Sequence, residues 1–289
     1  METKIFRNAG DDTFIVHLTL DILQIHGGDG DDTFQLYSHQ GDLLIGGDDG
    51  EDHFDLLFDG DARGEVLLDG GRGDDYFNLE FSPEYFESVT LNGNEGDDTF
   101  SFADGVVLNG AINGGAGLDT LDYSRYTTAR HTFILGWDES GYFGVQEESP
   151  AGPECAIQGG FNGIRRVIGS LAEGEVKGDK LYGPPEVGGR WRLDGENSTY
   201  QAEGACDGEG NPVILNFRNF DHLYGSSLDD TFVLVGREYG CLFGGDGDDR
   251  MWGGGGDDDM AGGEGNDYVD GGDGDDYLDG GNGDDSILG

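Results

Sequence analysis

The sequence is short of positive charge, of cysteine, of proline and of long apolar runs, and most of these shortages exclude something. Lys and Arg number 15 against 61 Asp and Glu, a formal net charge of −46 over 289 residues. So negative a chain is a poor partner for nucleic acid or an anionic membrane surface; its natural counterions are divalent cations. Self-repulsion at that charge opposes any compact state unless something neutralises it. No apolar stretch approaches the ~18 residues that a membrane-spanning helix needs, so no membrane insertion is expected. The opening METKIFRNAG lacks the apolar core of a secretory signal, which leaves export by another route or excision from a longer chain. The three cysteines, Cys155, Cys206 and Cys241, show no zinc-site spacing. Either Cys155 and Cys206 pair, as an extracellular setting allows, or all three remain thiols.

What the sequence has in excess is glycine, 57 residues, with only 35% apolar residues. That composition also describes disordered acidic tails, but the chain has a period. Residues 244–288 are five nonapeptides in tandem of the form G-G-x-G-x-D-x-U-x, with U apolar. The core returns upstream as NAGDDTFIV, GGDGDDTFQ, GDDGEDHFD, GGRGDDYFN, GNEGDDTFS, GGAGLDTLD and GSSLDDTFV. The sixth position is Asp in every copy: Asp12, Asp32, Asp52, Asp75, Asp98, Asp119, Asp230, Asp249, Asp258, Asp267, Asp276 and Asp285. Two residues later stands Phe14, Phe34, Phe54, Phe77, Phe100, Leu121, Phe232, Met251, Met260, Val269, Leu278 or Ile287. A disordered tail has no reason to hold that phase.

This motif resembles the calcium-binding repeat of RTX-type (hemolysin-type) exported bacterial proteins, strongly over 244–288, well over 8–122 and weakly between. The resemblance implies an all-β fold, a right-handed parallel β-solenoid (β-roll or β-helix) with stacked calcium turns, in which GGxGxD forms the turn and xUx a short strand. The chemistry agrees. Glycine permits positive φ and close backbone approach, so carbonyls can face an ion. Calcium takes six to eight oxygens at about 2.3–2.6 Å, more than one turn supplies and within reach of two stacked turns. An EF-hand does not fit any window. Besides the position-six acids, the candidate ligands are the turn acids Asp29, Asp31, Asp74, Asp97, Asp246, Asp248, Asp257, Asp273, Asp275 and Asp284, with Gly27, Gly70, Gly244, Gly262 and Gly271. Roughly eight to ten calcium ions are expected.

Two spacings divide the chain. In 225–289 the tandem repeats recur every nine residues, two to a coil of 18, so calcium turns should line both edges: 244, 262 and 280 on one, 253 and 271 on the other. In 1–122 the acids recur at 20, 20, 23, 23 and 21, one acidic turn per coil, with a second apolar run at 22–25, 43–45, 66–68 and 89–91. The opposite edge there carries variable loops such as YSHQGD and FSPEYFES, the expected contact surface. Residues 123–224 read as degenerate coils with long excursions, or alternatively as an inserted β domain. GEVKGDKLY keeps Asp179 and Leu181 in the acid and apolar places, and FNGIRRVIGS parallels FRNFDHLYGS.

Other features carry less. RGD at 72–74 lies inside an acidic turn. Six scattered histidines accompany no HExxH or GxSxG motif, and no carboxylate pair suits glycoside chemistry, so no catalysis is expected. Neither threonine rows nor an aromatic ladder point to a glycan or ice face. The expected function is a calcium-dependent structural module of an exported bacterial protein at the cell surface or outside the cell: an adhesin, surface layer or filament. The alternatives are the non-catalytic calcium roll of an exported enzyme or toxin, and a glycan-binding module. Beyond calcium, the candidate partners are copies of itself head-to-tail or adjoining repeats of a longer chain, and a cell-surface glycan or protein. Repeats begin and end almost at the chain ends, which implies a fragment or a stacking subunit.

Overall fold

The computed structural model describes residues 2–17, 22–37, 40–57, 64–80, 88–127, 130–138, 140–148, 157–169, 179–194, 197–207, 209–220, 222–235 and 241–289. Within them the chain is all-β, a parallel β-solenoid of about 11 turns. Each early coil has two strands: β1 (Glu2–Phe6) and β2 (Thr13–Val16), β3 (Ile22–Asp29) and β4 (Thr33–Leu36), β5 (Leu43–Asp49) and β6 (His53–Leu56), β7 (Glu65–Arg72) and β8 (Tyr76–Leu79), β9 (Ser88–Glu95) and β10 (Thr99–Phe102), β11 (Gly110–Ala116) and β12 (Asp119–Asp122). Odd strands pair in parallel to form one wall and even strands the other. The register follows the period-two burial of each strand, because a one-residue slip would turn its apolar set outward. Phe14, Phe34, Phe54, Phe77 and Phe100 therefore stack as one internal ladder, with ring centroids 4.7–4.9 Å apart. All but Phe14 are fully buried.

The middle continues both walls by a different route. Its strands are β13 (Arg130–Trp137), β14 (Tyr142–Glu148), β15 (Ile157–Ile168), β16 (Lys180–Tyr182), β17 (Gly189–Leu193), β18 (Ser198–Ala202), β19 (Leu215–Arg218) and β20 (His222–Tyr224). β15 stacks on both walls: Phe161 lies on Ile112 of β11, and Val167 on Leu121 of β12. Where the preceding coil rounds the edge with the seven residues 113–119, β15 does so with the three residues Asn162-Gly163-Ile164, Gly163 standing at φ +71°. Beyond it each wall reverses twice. β14 lies antiparallel between β15 and β13, and β18 antiparallel between β19 and β17. Two reversals restore the original direction. β13, β16 and β20 then lead in parallel to β22 (Cys241–Asp246), β24 (Asp259–Glu264) and β26 (Tyr277–Asn282). β17 leads to β21 (Thr231–Leu234), β23 (Arg250–Trp252), β25 (Tyr268–Asp270) and β27 (Ser286–Leu288).

Two expectations change here. FNGIRRVIGS and FRNFDHLYGS are half a coil out of phase, since Val167 pairs with Phe217 and not with Leu223. An external aromatic ladder does exist: Tyr182, Tyr224 and Phe243 stack at 4.4 and 4.5 Å on the outer face. Cys206 carries a free thiol, and Cys155 lies outside the described residues. So do Ser38 and His39 of the first variable loop, residues 81–87 of the second, and 174–178 of the degenerate copy. Among the described residues no helix is long and apolar enough to cross a membrane.

Candidate metal centre

Every acidic turn of the early coils joins the first wall to the second. Gly28 and Gly30, Gly71 and Gly73, and Gly245 and Gly247 hold φ between +108° and +124° at the second and fourth motif places. In two copies where another residue holds the second place with the same left-handed backbone, it is Asp48 at φ +79° and Asn94 at +81°. These are the side chains that best tolerate a left-handed backbone. The first-place glycine is needed for room instead. A β-carbon on Gly70 would run into Asp75 Oδ2 and lie 2.9 Å from the Gly93 carbonyl oxygen of the next turn. On Gly47 or Gly93 it would meet the carboxylate of its own turn and lie 2.5 Å from the next turn's first-place carbonyl.

The position-six acids form a ladder. Asp32, Asp52, Asp75, Asp98 and Asp119 each accept, through Oδ1, the backbone N–H of the acid one coil earlier, at 2.7–3.0 Å. Asp267, Asp285 and Asp276 repeat this at 2.8–3.0 Å. The other oxygen has nothing. Oδ2 of Asp32, Asp52, Asp75, Asp98, Asp119, Asp249, Asp258 and Asp267 is buried without a hydrogen-bond partner. A buried unpaired carboxylate oxygen is costly. Burial, reinforced by neighbouring acids, pushes Asp52 and Asp98 up to about 7, Asp75 and Asp249 to about 8, and Asp119 and Asp258 to about 6.

Orphaned oxygens facing a neighbouring turn's carbonyl are what a hard cation requires. Seven turns combine the two: Asp32 with Gly47, Asp52 with Gly70, Asp75 with Gly93, Asp98 with Gly114, Asp249 with Gly262, Asp258 with Gly271 and Asp267 with Gly280. Among the described residues no three His, Cys, Asp or Glu side chains converge as a cage. The design differs: one carboxylate per turn and carbonyls for the rest. The residues present therefore fit calcium.

The other candidate acids lie elsewhere. Asp31, Asp74, Asp97, Asp248 and Asp257 are exposed and accept the backbone N–H of the next coil at 2.7–3.0 Å, knitting turn to turn outside the pocket. Side chains of Asp29, Asp246, Asp273, Asp275 and Asp284 are likewise exposed, as the alternation of the turn demands. Asp12 has Arg7 3.9 Å away. Arg72 of the RGD triplet lies 3.5 Å from Asp49 and 3.4 Å from Glu95, and Asp74 is held in the ladder, so the triplet is not a free loop.

Asp230 departs from the pattern. Its Oδ2 accepts Ser226 N–H at 2.7 Å and Ser226 O–H at 2.8 Å, and its Oδ1 accepts Gly189 N–H at 2.7 Å and the Trp191 indole at 3.3 Å. This carboxylate is satisfied by protein alone. In the GSSLDD turn, serine and Leu228 replace the second- and fourth-place glycines. Ser226, Trp191, Gly47, Gly93, Gly114 and Gly280 were not among the expected site residues. The motif column marks the glycines; nothing local marks Trp191.

Four segments match the RTX calcium-binding nonapeptide repeat: 24–36, 88–106, 242–269 and 252–287. A search of curated proteins returned no match. The chain thus carries calcium-binding repeats of the RTX type, wound into a β-solenoid.

Proposed function

We propose that this chain is a non-catalytic structural module of an exported bacterial protein, acting at the cell surface or outside the cell and folding when calcium binds. The observation that carries it is the row of buried Asp oxygens lacking any partner. Seven of these carboxylates, with the next turn's glycine carbonyl, would hold calcium, which would supply the neutralising charge, in one row along the early coils and one on each edge of the last. Extracellular modules bind at roughly 10⁻⁴–10⁻³ M, so ~1 mM calcium contributes on the order of 0.4–1.4 kcal/mol per site. Over seven sites that approaches the whole net stability of a domain, about 5–15 kcal/mol. At sub-micromolar cytosolic calcium the contribution vanishes, and the chain stays unfolded for export. Equilibrium dialysis with elemental analysis tests this. About seven calcium ions per folded chain are expected; a folded chain that retains none would overturn the reading.

A further inference from the structure

The scarce positive charge is not spread evenly. Nine of the 15 Lys and Arg lie between residues 123 and 224. Several arginines are engaged: Arg125 with Glu80 at 2.7 Å, and Arg192 with Asp194 at 2.9 Å. Arg166 and Arg218 are not. Both are exposed, and among the described residues neither guanidinium has an ion-pair or hydrogen-bond partner. Two arginines with no partner among the described residues, in a chain with 61 acids, are unexpected on electrostatic grounds alone.

The fold places them together. On the outer face of the second wall, β15 and β19 set Arg166 beside Asn216 and Ile168 beside Arg218. Antiparallel β18 follows, with Thr199 against Asn216 and Ser198 against Phe217. The result is a cavity of about 180 Å³ lined by Arg166, Ile168, Asn197, Asn216, Phe217 and Arg218. The Phe217 side chain is turned into the core against Trp191, and Ile168 is buried beneath the rim, so the exposed lining is mainly polar. Its rim holds two guanidinium groups and two amides. A larger cavity of about 400 Å³ on this wall contains Arg190 but also Glu203 and Asp229, which balance its charge.

The rim selects a chemistry. A guanidinium fork matches a carboxylate bidentately. Amides donate to and accept from hydroxyls. The volume is below that of a drug-sized site and suits one small unit. Nucleic acid fits less well: duplex DNA carries one charge per ~1.7 Å and meets a chain at −46. A docked acidic peptide calls for an aromatic anchor pocket, and Phe217 is turned into the core. We propose that the Arg166–Arg218 cavity is a binding subsite for one carboxylate-bearing sugar of an anionic polysaccharide.

The subsite is distinct from the calcium turns and stands or falls separately from them. The test measures binding of hyaluronan oligosaccharides, neutral dextran, single-stranded DNA and polyglutamate to the calcium-loaded full chain at about 0.15 M salt. Two double variants lose equal charge: Arg166→Gln with Arg218→Gln, and Arg190→Gln with Arg192→Gln. Hyaluronan is expected to bind and dextran not. The first variant should weaken hyaluronan binding by about tenfold or more, the second less than about twofold, with calcium-dependent circular dichroism unchanged in both. Equal losses in the two variants, absence of hyaluronan binding, or tighter binding of DNA or polyglutamate would each overturn the proposal.

Discussion

The donors around the position-six acid separate one acidic turn from another. Asp52 and Asp230 occupy the same motif place and are both buried. One has an orphaned oxygen, and the other has four protein donors. Removing the charge and filling the pocket should therefore differ. Asp52→Asn and Gly47→Ala each lower the calcium count by about one ion, since a β-carbon on Gly47 would run into the Asp52 carboxylate. Gly47→Ala is the more damaging in calcium, because it leaves the carboxylate buried with no cation; the gap is on the order of 1–3 kcal/mol in denaturant titration. An unchanged ion count in both variants would contradict the assignment. Ser226→Ala behaves differently. It removes a donor to a buried carboxylate, costs about 1.5–3 kcal/mol, and leaves the calcium count as it was. A lost ion in that variant would show that the 225–230 turn is a metal site after all.

At the scale of the element, each row is a stack of carboxylates that share backbone amides and repel one another. Burial raises Asp52 to about 7, Asp75 to about 8, Asp98 to about 7 and Asp119 to about 6, above the ordinary 3.8. For an acid raised in the folded state, the linked stability is present below the unfolded value and is lost as pH rises through the folded one. Without calcium, the folded fraction should therefore grow as pH falls from about 8 toward 5. With calcium the direction reverses, because protons compete with the ion. The midpoint of folding by calcium should shift to higher concentration as pH drops through the window from about 8 to 6, read by circular dichroism. A midpoint independent of pH would mean that these carboxylates do not hold the ion.

The elements also show what a sequence can reveal. Period-two patterning and the fixed Asp-to-apolar offset made the early and late coils legible, since each strand needs only its own residues and a copy above. Tyr182, Tyr224 and Phe243 are far apart in sequence, and their ladder was invisible until register joined them. The same holds for β14 and β18. Antiparallel strands in a parallel wall obey the same apolar alternation, so the pattern gives their existence and not their direction. For the site, the position-six acids and the glycines were readable. The exposed position-five acids looked equivalent in composition, and only the alternation of side chains separates them from the pocket.

At the scale of the whole molecule, two stretches rich in acidic turns flank a middle held by conventional packing. Trp191, Tyr200 and Phe217 are buried there, with Trp191 stacked on Phe232 at 5.4 Å. The flanks lack comparable means of offsetting their charge, and the chain as a whole stands at −46. In the proposed reading, neutralisation by ions between turns is what lets the coils close up. The most direct measurement is far-ultraviolet circular dichroism of the full chain near neutral pH while calcium is raised and then removed with EGTA. The account predicts that β signal rises cooperatively at roughly 10⁻⁴–10⁻³ M calcium and disappears on chelation. A β spectrum already complete in EGTA, and indifferent to added calcium, would contradict it.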